Sequence, residues 1–169
     1  MLTVRLTRGR DAKDLLTCVR SDGSSTWTRL NPFFPVHDLT HLAVESTLGL
    51  DRAFYGLIAE GWHISTFAEP GASRRLPPEG VWTEMAVSAI QRFDTPGGPL
   101  SVEEVNDFID AGMLDKPVGF ARRITERELE TILATVATLR GRWRALGPGE
   151  SMEIQFVPGA PPAADVTVP

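Results

Sequence analysis

His37 and His41, two of the chain's three histidines, sit four residues apart in the stretch His37-Asp38-Leu39-Thr40-His41, and Glu45 follows at the same interval. Residues four apart on an α-helix lie one above the other on a single face, so two imidazoles at this spacing can share a divalent ion. Imidazole nitrogen suits zinc, with iron and manganese also able to use such a pair. A bound ion of this kind lowers the pKa of a coordinated water or polarises a substrate carbonyl. The spacing therefore points to metal-assisted hydrolysis, or a related lyase-type step, on a small substrate.

On a wheel turning ~100° per residue, Asp38, His41 and Glu45 all fall within about 100° of His37. Leu39, Leu42, Ala43, Val44 and Leu48 occupy the rest of the circle with small hydroxyl residues, and the segment has no Lys or Arg. Such a helix is expected to be buried, and buried ionisable groups need a partner or a metal. Eight residues separate His37 from Glu45, about 12 Å along a straight helix, too far for one ion to bridge. Glu45 then either orients the N–H of His41 or, like Asp38, acts as a base. A third ligand must come from elsewhere. Asp38, Glu60, His63 and Glu84 are the candidates, and Glu84 is the one carried forward because a glutamate on a later helix often completes such a site. Three of them also have an ordinary reading: Glu60 as a solvated helix end, His63 as a hydrogen-bonded loop histidine, and Glu84 as part of a polar helix face with Ser88 and Gln91.

The elements that must position these groups follow from periodicity and turn chemistry. Leu2–Thr7 alternates apolar and polar residues, as a half-buried strand does. Leu15–Arg20 and Thr26–Leu30 are strand candidates joined through Ser21-Asp22-Gly23-Ser24, where Asp-Gly supplies a hairpin turn. Met152–Val157 alternates again. Pro35 suits the first turn of a helix running from about Val36 to Leu48 and stopped by Gly49. A short helix is expected from about Arg52 to Glu60, a Pro- and Gly-rich loop over Pro70–Gly80, and an amphipathic helix over Val81–Phe93, ended by Pro96-Gly97-Gly98-Pro99. Ser101-Val102-Glu103-Glu104 and Thr125-Glu126-Arg127-Glu128 are capping boxes, with Leu100/Val105 and Ile124/Leu129 as hydrophobic staples. The second opens a helix ending near Gly147-Pro148. The fold expected is α+β: a small, mostly antiparallel sheet, made of the N-terminal strands and one C-terminal strand, packed with about five helices. Residues 1–158 read as one domain and 159–169 as a flexible tail.

The five residues from His37 to His41 resemble two zinc motifs. One is the His-Glu-x-x-His helix of zinc hydrolases, in which the glutamate activates a zinc-bound water; Asp38 stands in its place. The other is the His-Asp-x-x-His-(x)11-Glu pattern of the zinc protein of ubiquinone biosynthesis, whose glutamate would fall at Ala53. A broader stretch is similar to an uncharacterised bacterial family: a hairpin, then Phe34-Pro35-Val36-His37-Asp38-Leu39-Thr40-His41, Val44-Glu45, Leu48-Gly49 and Phe54-Tyr55-Gly56-Leu57-Ile58. It implies a shared fold and no activity.

Bulk properties narrow the function classes. The 169 residues suffice for one real core, and 42% hydrophobic with 23% charged content is ordinary globular usage. A formal net charge of −5 argues against nucleic-acid binding. Arg140, Arg142 and Arg144 end a predicted helix, where cations offset the dipole. With Cys18 as the single cysteine, neither an internal disulfide nor a cysteine-based zinc site can form. Met1–Leu6 has no long apolar run and no segment reads as a membrane helix, so a cytoplasmic location without membrane partners is expected. Phe33, Phe34, Phe54, Tyr55 and Trp62 could line a pocket for a small organic substrate, though such residues are more often core. The competing reading is a non-catalytic interaction or scaffold domain in which the histidines are structural.

Overall fold

The computed structural model describes residues 1–11, 13–92, 101–116 and 119–160. Three strands come first: β1 (Leu2–Thr7), β2 (Asp14–Arg20) and β3 (Ser25–Leu30). Helices α1 (Phe34–Leu48) and α2 (Phe54–Glu60) follow, then two short 3₁₀ turns at Ile64–Ala68 and Ala72–Arg74. Helices α3 (Pro78–Arg92), α4 (Val102–Met113) and α5 (Glu126–Ala145) precede the last strand, β4 (Ser151–Phe156). The class is α+β, as the alternation and capping signals imply. Pro96–Pro99, Leu100, Phe93 and residues 161–169 of the expected tail lie outside the described residues.

The sheet has order β3-β2-β1-β4 and is antiparallel throughout. Placing the late strand beside β1 requires the chain to cross the whole helical layer before returning. The β2–β3 turn forms as its Asp-Gly pair dictates: Gly23 has φ +85°, and Asp22 Oδ1 accepts from the Ser24 amide and hydroxyl. One sheet face buries Leu2, Val4, Leu6, Leu16, Cys18, Met152 and Phe156 beneath the helices. The other is open and carries polar cross-strand pairs, Thr3–Gln155, Arg5–Glu153 and Thr7–Ser151.

Helix α1 is the pivot between sheet and helices, touching α2, α3 and α5. It begins at Phe34, two residues before the expected start, and Pro35 lies in its first turn, as the sequence implies. The same correction applies to α3, which starts at Pro78, so the expected Pro70–Gly80 loop holds a 3₁₀ turn and the first residues of a helix. Gly49 ends α1 in the left-handed conformation at φ 65°, and Arg122 donates to the terminal carbonyl of Leu48 from outside the helix. That contact puts a cation at a C-terminus whose own last turn has no basic residue.

Both capping boxes form, at Ser101/Glu104 and Thr125/Glu128. Asn106 on α4 then pins the segment entering α5: its Nδ2 donates to Ile124 O and its Oδ1 accepts from Ile124 N. Replacing Thr125 by Ala removes the cap of the longest helix and should cost about 1 kcal/mol in urea denaturation. Among the described residues no helix is long and apolar enough to cross a membrane.

Candidate metal centre

α1 carries the arc expected from its sequence, and the structure shows what that arc faces. His37, Asp38 and His41 border a cavity of about 550 Å³, whose opposite wall is built from β3, the 3₁₀ turns and α3. Glu84 reaches the same cavity from α3. One ligand atom from each of His37, His41 and Glu84 can be chosen so that no two lie more than 4.8 Å apart, a grouping that could hold a metal ion. The Nε2 of His41 is 3.4 Å from Glu84 Oε1. Ligands at ~2.1 Å from a tetrahedral ion stand about 3.4 Å from one another, so this pair already has the needed separation. It is a charge contact and not an aligned hydrogen bond, because His41 Nε2 is buried without a hydrogen-bond partner.

The other ring nitrogens are held from behind. His37 Nδ1 lies 3.3 Å from Gln91 Oε1, which can accept its proton and leave Nε2 free as a ligand atom. His41 Nδ1 lies 3.2 Å from Glu45 Oε1, which selects the tautomer with Nε2 toward Glu84. The two rings meet edge to face, with centroids 4.8 Å apart.

Glu45 is a structural hub as well as an orienting group. Its Oε2 accepts from the backbone amides of Tyr55, at 2.9 Å, and Gly56, at 3.3 Å. These are first-turn donors of α2, whose N-cap residue Ala53 has no side chain to offer them. A carboxylate from α1 thus caps α2. The turn leading into α2 needs Gly56 for a separate reason: a Cβ there would sit 2.0 Å from the carbonyl oxygen of Asp51. The sequence showed Glu45 in reach of His41 but gave no sign of this second task.

Charge follows from these contacts. Burial alone would push His41 down, but Glu84 and Glu45 outweigh it and raise its pKa to about 10. Burial also raises Glu45, while His41 and two backbone amides favour its charged form, so in this tightly coupled pair the proton stays on His41. Burial, then the charge of His41, lowers His37 and keeps it neutral and ready to ligate. Glu84 is held below its ordinary value because His41 and His37 overcome the effect of its own burial.

Asp38 differs from all of these. It is only 5% exposed, and burial raises its carboxyl to about 7 against the pull of His41. Its Oδ2 has no hydrogen-bond partner. The sign of the resulting pH dependence is direct. A carboxyl with a raised folded-state pKa favours the fold below its unfolded value and loses that advantage as pH climbs to about 7. In metal-free protein at pH 8, Asp38→Asn should raise stability by roughly 2 kcal/mol, the larger ionisation cost being partly offset by an unpaired amide. At pH 4, where the wild-type carboxyl is neutral in the fold, that gain should be gone and the variant should be the less stable of the two, by the cost of its unpaired amide.

The remaining expected ligands lie apart. Glu60 is exposed at the end of α2, and His63 is exposed with its Nδ1 near Thr26 and Ser65 hydroxyls. Neither joins the triad among the described residues. Phe34 and Phe54 line the cavity, whereas Tyr55 is wholly buried with its hydroxyl donating to the Asp38 carbonyl oxygen. Trp62 packs on Phe67. Gln91 was visible only as a member of a polar face with Glu84; seven residues separate them, two helical turns, so both can face α1.

The chain matches no protein-family model, and neither curated proteins nor solved structures include one with detectable similarity to it. The site must therefore be read from its own chemistry.

Proposed function

We propose that this chain is a metal-binding enzyme in which His37, His41 and Glu84 hold one divalent ion, zinc by donor type, for hydrolysis or lyase-type cleavage of a small substrate. The observation that carries the reading is the meeting of three donors from α1 and α3 at the wall of a cavity. Two imidazoles and one carboxylate beside a cavity fit the donor set of a catalytic zinc site, in which solvent or substrate takes the fourth position, whereas structural sites are closed by four protein ligands. When bound, the ion supplies an activated water or a polarised carbonyl. Glu45 serves as a positioning residue through His41, and Asp38 borders the space where a substrate would sit.

One observation favours a second reading. A protonated His41 between Glu45 and Glu84 already forms an ionic bridge, which a scaffold could use without metal. Zinc titration of untagged protein separates the two. Binding must displace the proton of His41, whose pKa is about 10, so the enzyme reading expects one zinc per chain and an affinity rising about tenfold per pH unit between pH 6.5 and 8.5. Weak binding at several sites, or binding indifferent to pH, would favour the scaffold.

A further inference from the structure

We propose that the cavity takes an apolar ligand bearing an amide-type group, with the carbonyl directed to the metal position and the adjacent N–H donated to Asp38. The inference rests on the metal reading for the carbonyl and on Asp38 for the N–H.

Asp38 is a buried carboxyl of the cavity wall with an oxygen that has no hydrogen-bond partner among the described residues. It adjoins His37 on α1, borders the cavity and is 5% exposed, yet Oδ2 has no partner. The Tyr55 hydroxyl donates to the main-chain oxygen of Asp38, at 3.2 Å, and not to its carboxyl. The neighbouring carboxylates are engaged, Glu45 with three nitrogens and Glu84 with His41. A buried carboxyl without a partner is costly, and a donor arriving with the ligand removes that cost.

The ligand's other properties follow from the walls. Leu30, Phe34, Phe54, Ile64, Phe67 and Leu76 give the cavity its apolar lining. A volume of about 550 Å³ leaves room for an aromatic or branched group beyond the amide. An ester offers the carbonyl but no N–H, so Asp38 becomes the residue that distinguishes amides from esters.

The test uses zinc-loaded protein and two probes, benzohydroxamate and N-methylbenzohydroxamate. Both offer two oxygens to zinc, and only the first has the N–H. Calorimetry should show the first binding about tenfold or more tightly to the wild type. In Asp38→Ala that preference should fall to twofold or less, with zinc affinity and N-methylbenzohydroxamate affinity changed less than threefold. Asp38→Asn, which keeps a carbonyl acceptor, should retain part of it. Equal binding of the two probes by the wild type, or a preference that survives in Asp38→Ala, overturns the inference while leaving the metal site intact. Failure of zinc itself to bind overturns the metal reading, and this inference with it.

Discussion

Glu45→Ala is expected to destabilise the protein by about 3–5 kcal/mol, the usual cost of removing one partner of a buried charge pair. The reason lies in how many groups depend on one carboxylate. His41 Nδ1 and the amides of Tyr55 and Gly56 all point at it, and the side chain is wholly buried. Alanine would leave the Nδ1–H of a buried imidazolium and two first-turn donors of α2 without the acceptor they point at, with only Glu84 still beside His41. Glu45→Gln should behave differently. Its carbonyl oxygen can still receive the backbone amides, so the helix stays capped, but its amide nitrogen cannot accept from His41. The expected loss of fold stability is correspondingly smaller, and zinc affinity should drop about 10–100-fold because the ring is no longer held in its ligating tautomer. Urea denaturation reads the first effect and zinc competition the second. Equal stability of wild type and Glu45→Ala would contradict the hub.

His37→Ala is expected to separate binding from folding in the opposite direction. His37 is half-buried, its Nδ1 pairs with Gln91 alone, and it takes no part in the Glu45 network. Its removal should lower zinc affinity by at least about a hundredfold, beyond the loss expected for an outer orienting group. The metal-free protein should lose less than about 1 kcal/mol, the worth of one partly exposed hydrogen bond. His41→Ala should do both kinds of damage, since it empties the centre of the ionic bridge. The two histidines look equivalent in the sequence. The structure places one imidazole at the cavity edge and builds the other into the core.

Much of the fold was legible because its signals are local. Alternation marked β1 and β4, Asp22-Gly23 marked a hairpin, and Ser101 and Thr125 marked two helix starts, each from residues within a few positions of one another. The helix starts are less local: α1 begins two residues and α3 three residues before the apolar pattern does, and Pro78 opens α3 from within a stretch whose Pro and Gly content reads as loop. For the site, the i, i+4 spacing brought His37 and His41 together, and the missing cations on α1 marked it as buried. The polar face of α3 was harder. Glu84 and Gln91 look like residues facing water, and nothing local reveals that this face turns toward α1. Nor can spacing show that a carboxylate on one helix caps another, since the Glu45–Gly56 contact depends on the Leu50–Ala53 turn that folds α2 back against α1.

X-ray absorption at the zinc edge, on wild-type protein loaded with one equivalent, tests the central claim most directly. The account predicts a shell of nitrogen and oxygen at about 2.0–2.1 Å containing two imidazoles. A shell with one imidazole or none, or zinc that stays in solution, would contradict it.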